Sequence, residues 1–385
     1  MDKLKVGMVL IGFVVMILSE GILYPSEPSL EIQMQDFSEN VNWLESMVRE
    51  VKKDKDTYWL VQSYEAIEDR CWIYDEALAV IAFTALRQFE IAEKILDTLK
   101  VIQNPDGSFY FSYQISTLTA TSKRRYTGSI AWIAMAINFY RSITNDSSYN
   151  VLLWKTLRWL GTQQVMDREK KTFGGVSLGV RDDAFSMEHN LDTYSAFYHY
   201  HNKYFRKRAK KIKQFILKHL YRKTTEPRFM TGYRDHSLYL DCQSWAVLTL
   251  GKKYCQVLPF AEKRFLVKNG TLGDHTDIEG FFERQAENAP VWSEGTEGMA
   301  LAYFFCDRTK EGDFYHRQVK KMMGKNGGIV YATENKYEFS TSTSVAGTTW
   351  YIFYEMKLNP FNPGRKTRKS VKSFLKKRKV LTKKL

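Results

Sequence analysis

Two kinds of helical segment alternate along this chain, told apart by where their polar residues fall. One kind is amphipathic. The segments VNWLESMVREV, IAEKILDTLKVI, LLWKTLRWLGTQQ, KRAKKIKQFILKHL, PFAEKRFLV and FYHRQVKKMMG carry apolar residues at helical spacing on one side and charges on the other. The other kind opens on polar or aromatic residues, adds a small residue or two, and continues as an apolar run. Its six copies are YDEALAVIAFTAL from Tyr74, YTGSIAWIAMAINFY from Tyr126, EHNLDTYSAFYHY from Glu188, LDCQSWAVLTLG from Leu240, WSEGTEGMALAYFF from Trp292 and SVAGTTWYIFYEM from Ser344. With Glu76, Gly128, Asn190, Gln243, Gly295 and Gly347 as marks, successive copies stand 52, 62, 53, 52 and 52 residues apart.

Strict alternation of six charged and six apolar helices predicts an all-α fold, an (α/α)6 toroid of six helical hairpins. The apolar helices, rich in Ala, Gly, Ser and aromatics, form an inner ring that packs on both sides, and the charged helices form the outer ring. Closing the ring leaves no hairpin with an exposed apolar face. The outer helix near Phe205–Leu220 illustrates the pattern: Phe205, Ile212, Phe215, Ile216 and Leu220 form its buried seam, and Lys and Arg surround them. Gly/Pro turns followed by β-prone residues (NPDGSFYFSY, FGGVSLG, RFMTGYRDH, NGGIVYA) predict short β-hairpins or loops at the mouth. Nothing in the repeat marks an internal boundary, so residues 40–360 read as one toroid domain.

Charge and termini add three expectations. The chain of 385 residues carries a net charge of +14, but 11 Lys/Arg and no acid lie between Arg365 and Leu385. Nine more, again with no acid, lie between Phe205 and Lys223. The rest of the chain is therefore mildly acidic, and the pattern lacks the groove of interleaved aromatics and cations that a nucleic-acid partner would want. Residues 361–385 read as a basic C-terminal tail, solvated or bound to an anionic surface. Lys3 and Lys5 followed by the 13-residue apolar run Val6–Leu18 make residues 1–24 a signal peptide or N-terminal membrane anchor, with 25–39 as linker. The body is then expected outside the cytoplasm: periplasmic, extracellular or membrane-anchored. For an exported chain a Cys242–Cys255 disulfide is compatible with the sequence, and Cys306, in an apolar run, is expected to pack. Asn145 and Asn269 head glycosylation sequons if the host glycosylates.

The hairpin number and the helix openings EHNLD, DCQSW, WSEGTEG and VAGTTWY resemble the six-hairpin (α/α)6 glycosidase-like superfamily, including a group of bacterial glycosidase-like proteins. The resemblance spans roughly residues 40–360 and implies a carbohydrate substrate. The segment AEKILDTLKVIQNPDGSFYF also resembles the repeat of terpene cyclases and prenyltransferases, which are toroids too; their DxDD acid run is absent.

In such a ring the openings of the inner helices converge on one mouth. Sugar cleavage needs two carboxyl groups for proton transfer, aromatic faces for pyranose rings and amides or acids for hydroxyls. Glu188 is the candidate general acid, and Asp75, Asp241 or Glu294 the candidate base. Asp75 and Asp241 also stand where a helix N-cap would. Substrate-binding candidates are Tyr74, Arg125, Tyr126, His189, Asp192, Gln243, Trp245, Trp292 and Glu297, with Tyr233 and Arg234 from a mouth loop; Asp106, Tyr110 and Tyr113 rank behind them. No cofactor and no metal are called for: HExxH, P-loop, GxGxxG and GxSxG patterns are all missing. The alternatives are a non-catalytic glycan-binding or assembly protein and a polysaccharide lyase. The sequence leaves open the sugar, the linkage and the oligomeric state.

Overall fold

In a computed structural model the chain is described over residues 37–362. The apolar N-terminal run, the linker up to residue 36 and the basic tail from residue 363 lie outside the described residues. The outer helices are α1 (Ser38–Ser46), α3 (Phe89–Ile102), α5 (Asn150–Gln163), α7 (Lys203–Phe215), α9 (Leu258–Phe265) and α11 (Thr309–Lys320). Between them stand the inner helices α2 (Ile73–Leu86), α4 (Thr127–Thr144), α6 (Met187–His199), α8 (Asp241–Leu250), α10 (Ser293–Phe305) and α12 (Val345–Glu355). Each inner helix packs on the next, and α12 returns to α2, so the toroid of six hairpins closes.

Burial follows the composition that separates the two sets. In α2 nearly every residue from Ile73 to Leu86 is buried. In α7 the buried residues are Phe205, Ala209, Ile212 and Phe215, one stripe of an otherwise basic helix. The predicted seam continues through Ile216 and Leu220 in a π-helical turn.

Inner helices begin at the mouth, and the long connections that precede them carry all the sheet structure. The predicted NPDGSFYFSY turn supplies β4 (Ser112–Gln114), which pairs with β3 (Arg70–Trp72) and β5 (Thr119–Ser122). RFMTGYRDH supplies β7 (Arg228–Phe229), paired with β6 (Tyr221–Arg222). FGGVSLG and NGGIVYA make only isolated bridges. Two hairpins replace the ends of expected outer helices. The run MVREV becomes β1 (Val48–Lys53), paired with β2 (Asp56–Val61), and Leu266–Val267 begin β8 (Leu266–Leu272), paired with β9 (His275–Phe281). Each run contains β-branched Val, and the two hairpins turn at Asp54 and Gly273, both at φ 58°.

A repeated hydrogen bond fastens these connections to the ring. The Val61 amide donates to Glu76 Oε1 at 2.8 Å, and the Val176 amide donates to Asn190 Oδ1 at 2.8 Å. The amides of Phe229, Phe281 and Ile329 each donate at 2.9 Å, to Gln243 Oε1, Thr296 Oγ1 and Thr348 Oγ1. Asn190 and Gln243 also return a bond to the same backbone, at 3.0 and 2.8 Å. A buried extended strand end needs such a partner, because an unpaired amide there costs about 1–3 kcal/mol. Five of the six sequence marks are these fasteners (Glu76, Asn190, Gln243) or sit beside one (Gly295, Gly347), and Gly128 is the exception.

The far end of the ring is closed from below. Phe361 packs edge-on to Trp132 with centroids 5.0 Å apart and against Trp245 at 5.2 Å. Its carbonyl accepts from Ser195 Oγ at 2.5 Å, and Asn359 donates to the Leu248 carbonyl at 2.8 Å. Cys255 and Cys306 form a disulfide between the 3-10 turn after α8 and the end of α10. This corrects the expected pairing: Cys306 is a bridge partner, and Cys242 stays free and buried, as does Cys71.

Candidate active site

At the mouth the inner helices enclose a cavity of about 550 Å³. Four of them place acids on its wall in their first two turns: Asp75 from α2, Glu188 and Asp192 from α6, Asp241 from α8 and Glu294 from α10. The remaining two contribute small residues at this level, Gly128 and Ser129 from α4 and Ala346 from α12. Space for a ligand opens where those side chains are missing. All four residues expected to do proton chemistry therefore meet in one bowl. Asp75 is the third residue of its helix and Asp241 the first, and neither caps its helix, so capping does not account for them.

Burial dominates the electrostatics. It pushes the carboxyls of Asp75 and Glu188 up to about 7, the latter helped by the like charge of Glu283. Glu294 is pushed up to about 8 by burial, against the hydrogen bond from Tyr74. Asp192 and Asp241 rise well above the usual carboxylate range, through burial first and the neighbouring acids second. Near neutral pH the bowl thus holds protonated and ionised carboxyls together, as general acid–base chemistry requires.

Aromatic residues position these acids and shape the floor. Tyr74 Oη donates to Glu294 Oε1 at 2.5 Å and accepts from Trp350 Nε1 at 3.0 Å. Trp245 and Trp350 stack with centroids 5.9 Å apart and 8° between their planes, and Trp132 meets Trp245 edge-on at 5.7 Å. At the rim Tyr331 stacks on Phe339 at 5.2 Å, and Trp292 meets Phe339 edge-on at 5.6 Å. Asp192 is fully buried, with neither carboxylate oxygen hydrogen-bonded. A Cβ on Gly128 would lie 2.6 Å from the His189 ring and 2.8 Å from Asp192 Oδ2, so only glycine fits there.

Tyr74, Asp192, Trp245 and Trp292 line the cavity as expected. The other candidates lie off its wall. Gln243 is the fastener of the Phe229 backbone. Glu297 is fully buried between α10 and α11, accepting from His316 Nδ1 at 2.9 Å. His189 sits behind Gly128 with Nδ1 at 3.0 Å from the Leu178 carbonyl, and burial lowers it to about 4. Tyr126 packs edge-on against the cavity residue Phe111 at 5.0 Å. Arg125 pairs with Asp106 at 2.7 Å, and Tyr110 and Tyr113 pack together beside β4. Tyr233 and Arg234 line a separate surface hollow of about 800 Å³ with Arg181 and Asp182.

Sequence reasoning missed Tyr64, Trp72, Glu283, Tyr331 and Glu338, all on the cavity wall. They lie in the connections, where no repeat signals position. The lining contains seven acids (Asp75, Glu188, Asp192, Asp241, Glu283, Glu294 and Glu338) and no Lys, Arg or His.

No protein-family model matches the chain, and no curated protein does. Solved structures share its fold. A glycosidase in its wild-type form superposes with TM-score 0.63 at 6% identity, covering 86% of this chain and 99% of that one. A family 76 glycoside hydrolase from a bovine Bacteroides thetaiotaomicron strain gives 0.59 at 12% identity, covering 84% and 77%. A sugar epimerase from a ruminal bacterium gives 0.56 at 10%, covering 84% and 98%. The chain has the six-hairpin glycosidase-like fold that its repeats imply, a fold on which more than one sugar chemistry is carried out.

Proposed function

We propose that this protein is a glycoside hydrolase that cleaves a neutral or cationic oligo- or polysaccharide. The observation that carries the reading is the cavity wall: seven carboxyls, no cation, and aromatic faces at floor and rim. A polysaccharide lyase must neutralise the carboxylate of a uronate, and this lining offers no positive group for that task. The same wall repels acidic sugars in general.

Glu188 protonates the leaving oxygen, because burial and the like charge of Glu283 both favour its protonated form. Asp75 activates water. Burial raises it, and the Ser63 hydroxyl beside it favours the ionised form that activates water. Tyr74 holds Glu294 in place for a sugar hydroxyl, and Trp292 offers a stacking face at the rim. The Cys255–Cys306 disulfide supports a location outside the cytoplasm, in keeping with the Lys-flanked apolar run near the start of the sequence.

The test is release of new reducing ends from a panel of neutral, amino and acidic oligosaccharides. Glu188→Gln and Asp75→Asn should each lower turnover on the best substrate about 10²–10⁴-fold with an unchanged circular-dichroism spectrum. Near-full activity in both variants overturns the residue assignment. Sugar binding without any new reducing end overturns hydrolysis and favours a binding module.

A further inference from the structure

The end of the ring opposite the mouth carries a surface that neither the fold nor the proposed chemistry uses. Helix α6 ends there and α7 begins. Four of the eight exposed large apolar side chains among the described residues gather at this corner: Val151 (67% exposed), Trp154 (41%), Tyr198 (46%) and Tyr204 (55%). Trp154 and Tyr204 are held against one buried ring, and Tyr198 lies under Arg206. Phe205 meets Trp154 edge-on at 5.6 Å and Tyr204 at 5.1 Å, and Arg206 lies over Tyr198 at 5.9 Å.

Charge accompanies these aromatics. Helix α7 has seven Lys/Arg in 13 residues, α5 beside it has two, and neither helix contains an acid. Lys203, Arg206, Lys207 and Lys210 line a hollow of about 400 Å³ with His201. Among the described residues none of these four pairs with a carboxylate. A helix that only needed solvation would intersperse both signs, as α3 does with its Glu90–Lys94 and Asp97–Lys100 pairs.

The chain's own course converges on the same end. Because α1 runs toward the mouth, the described residues begin at the opposite end of the ring, and the sequence before them holds the apolar run Val6–Leu18. The described residues also finish there, with Phe361 bonded to Ser195 one turn before Tyr198, and the sequence beyond residue 362 holds 11 Lys/Arg. An acidic bilayer fits all three features: cations for lipid phosphates, Trp and Tyr at headgroup depth, and an apolar run for the core.

We propose that the corner formed by the end of α6 and the starts of α5 and α7 docks on an acidic phospholipid membrane, so that the sugar cleft faces away from the bilayer. This stands independently of whether the cleft is hydrolytic. The test is flotation of the full-length protein with phosphatidylcholine vesicles, with and without about 30% phosphatidylglycerol. The wild-type protein should bind the acidic vesicles in a salt-sensitive manner. The exposed quadruple variant Lys203→Ala/Arg206→Ala/Lys207→Ala/Lys210→Ala should bind them at least about tenfold more weakly, at roughly fivefold per cation or less. Trp154→Ala/Tyr204→Ala should weaken binding at high salt, where the apolar contribution dominates. Equal binding by wild type and the quadruple variant overturns the proposal and leaves any membrane affinity to the termini. So does equal, patch-dependent binding to a soluble polyphosphate, which would assign the patch to a polymer. Loss of a dimer in the quadruple variant, with vesicle binding unchanged, overturns it in favour of a second copy of this chain.

Discussion

Replacing Glu294 with Gln should stabilise this protein, and the gain should grow with pH. Glu294 is 4% exposed, and burial pushes its carboxyl from the ordinary value of 4.5 up to about 8. A carboxyl that holds its proton more tightly when folded opposes folding once the unfolded chain can ionise. Stability is therefore unaffected well below pH 4.5 and falls as pH rises from there toward 8, levelling off above. Each pKa unit corresponds to about 1.4 kcal/mol, so linkage sets the cost at about 1 kcal/mol at pH 5 and about 4 kcal/mol at pH 8. Gln keeps the shape and still accepts the bond from Tyr74 Oη, but has no proton to lose. Relative to wild type, the variant's melting temperature should rise by about 4 °C more at pH 8 than at pH 5. Thermal unfolding of both proteins across pH 4.5–8.5, without sugar, measures this. A pH-independent difference, or a variant less stable at pH 8, refutes the argument that the bowl is held against electrostatic resistance.

Two other substitutions separate framework from site. His316 is buried; that alone would lower it, but the carboxylates of Glu297 and Glu355, at 2.9 and 2.8 Å, raise it to about 9. Its contribution should be fully present below pH 6.5 and lost as pH rises through 9, and His316→Ala should cost about 3–5 kcal/mol at pH 6 by leaving Glu297 unpaired, as denaturant titration would show. Gln243→Leu should destabilise by about 1–3 kcal/mol, since it strands the amide and carbonyl of Phe229. The affinity of that variant for sugar, measured by calorimetry, should match wild type, whereas a binding loss without destabilisation would return Gln243 to the cleft.

The ring was legible because six copies of one signal reinforce each other, and each is physical: small and aromatic residues where a helix packs on two faces, charge where it packs on one. The acids were legible because convergence follows from the ring itself. Their neighbours were harder to sort. Gln243 and Asp241 lie two positions apart at the start of one helix, yet one faces the connection and the other the cavity. That difference is set by rotation about the helix axis, which the apolar run of a helix buried all round does not mark. Glu283, Tyr331 and Glu338 come from connections whose paths depend on the fasteners, so no periodicity points to them. The true partner of Cys255 was missed for a related reason: Cys306 ends an apolar helix, and only the closed ring brings the turn that carries Cys255 beside it.

The fasteners explain how an unfavourable bowl can persist. The cleft concentrates carboxyls that burial and mutual repulsion disfavour, and Asp192 has only the Trp132 indole beside its carboxyl. At the mouth the Tyr74 bond to Glu294 and the Ser63 hydroxyl beside Asp75 relieve this directly, and only in part. The restraint comes from below and behind: a stacked tryptophan floor closed by Phe361, and mouth connections bonded to the ring through Glu76, Asn190, Gln243, Thr296 and Thr348. The fastening bonds do not touch the cavity acids, so they can be satisfied fully without neutralising the site. A bound sugar would then supply the missing donors through its hydroxyls. The bowl's electrostatic cost and its capacity to bind are, on this argument, one property measured without and with ligand.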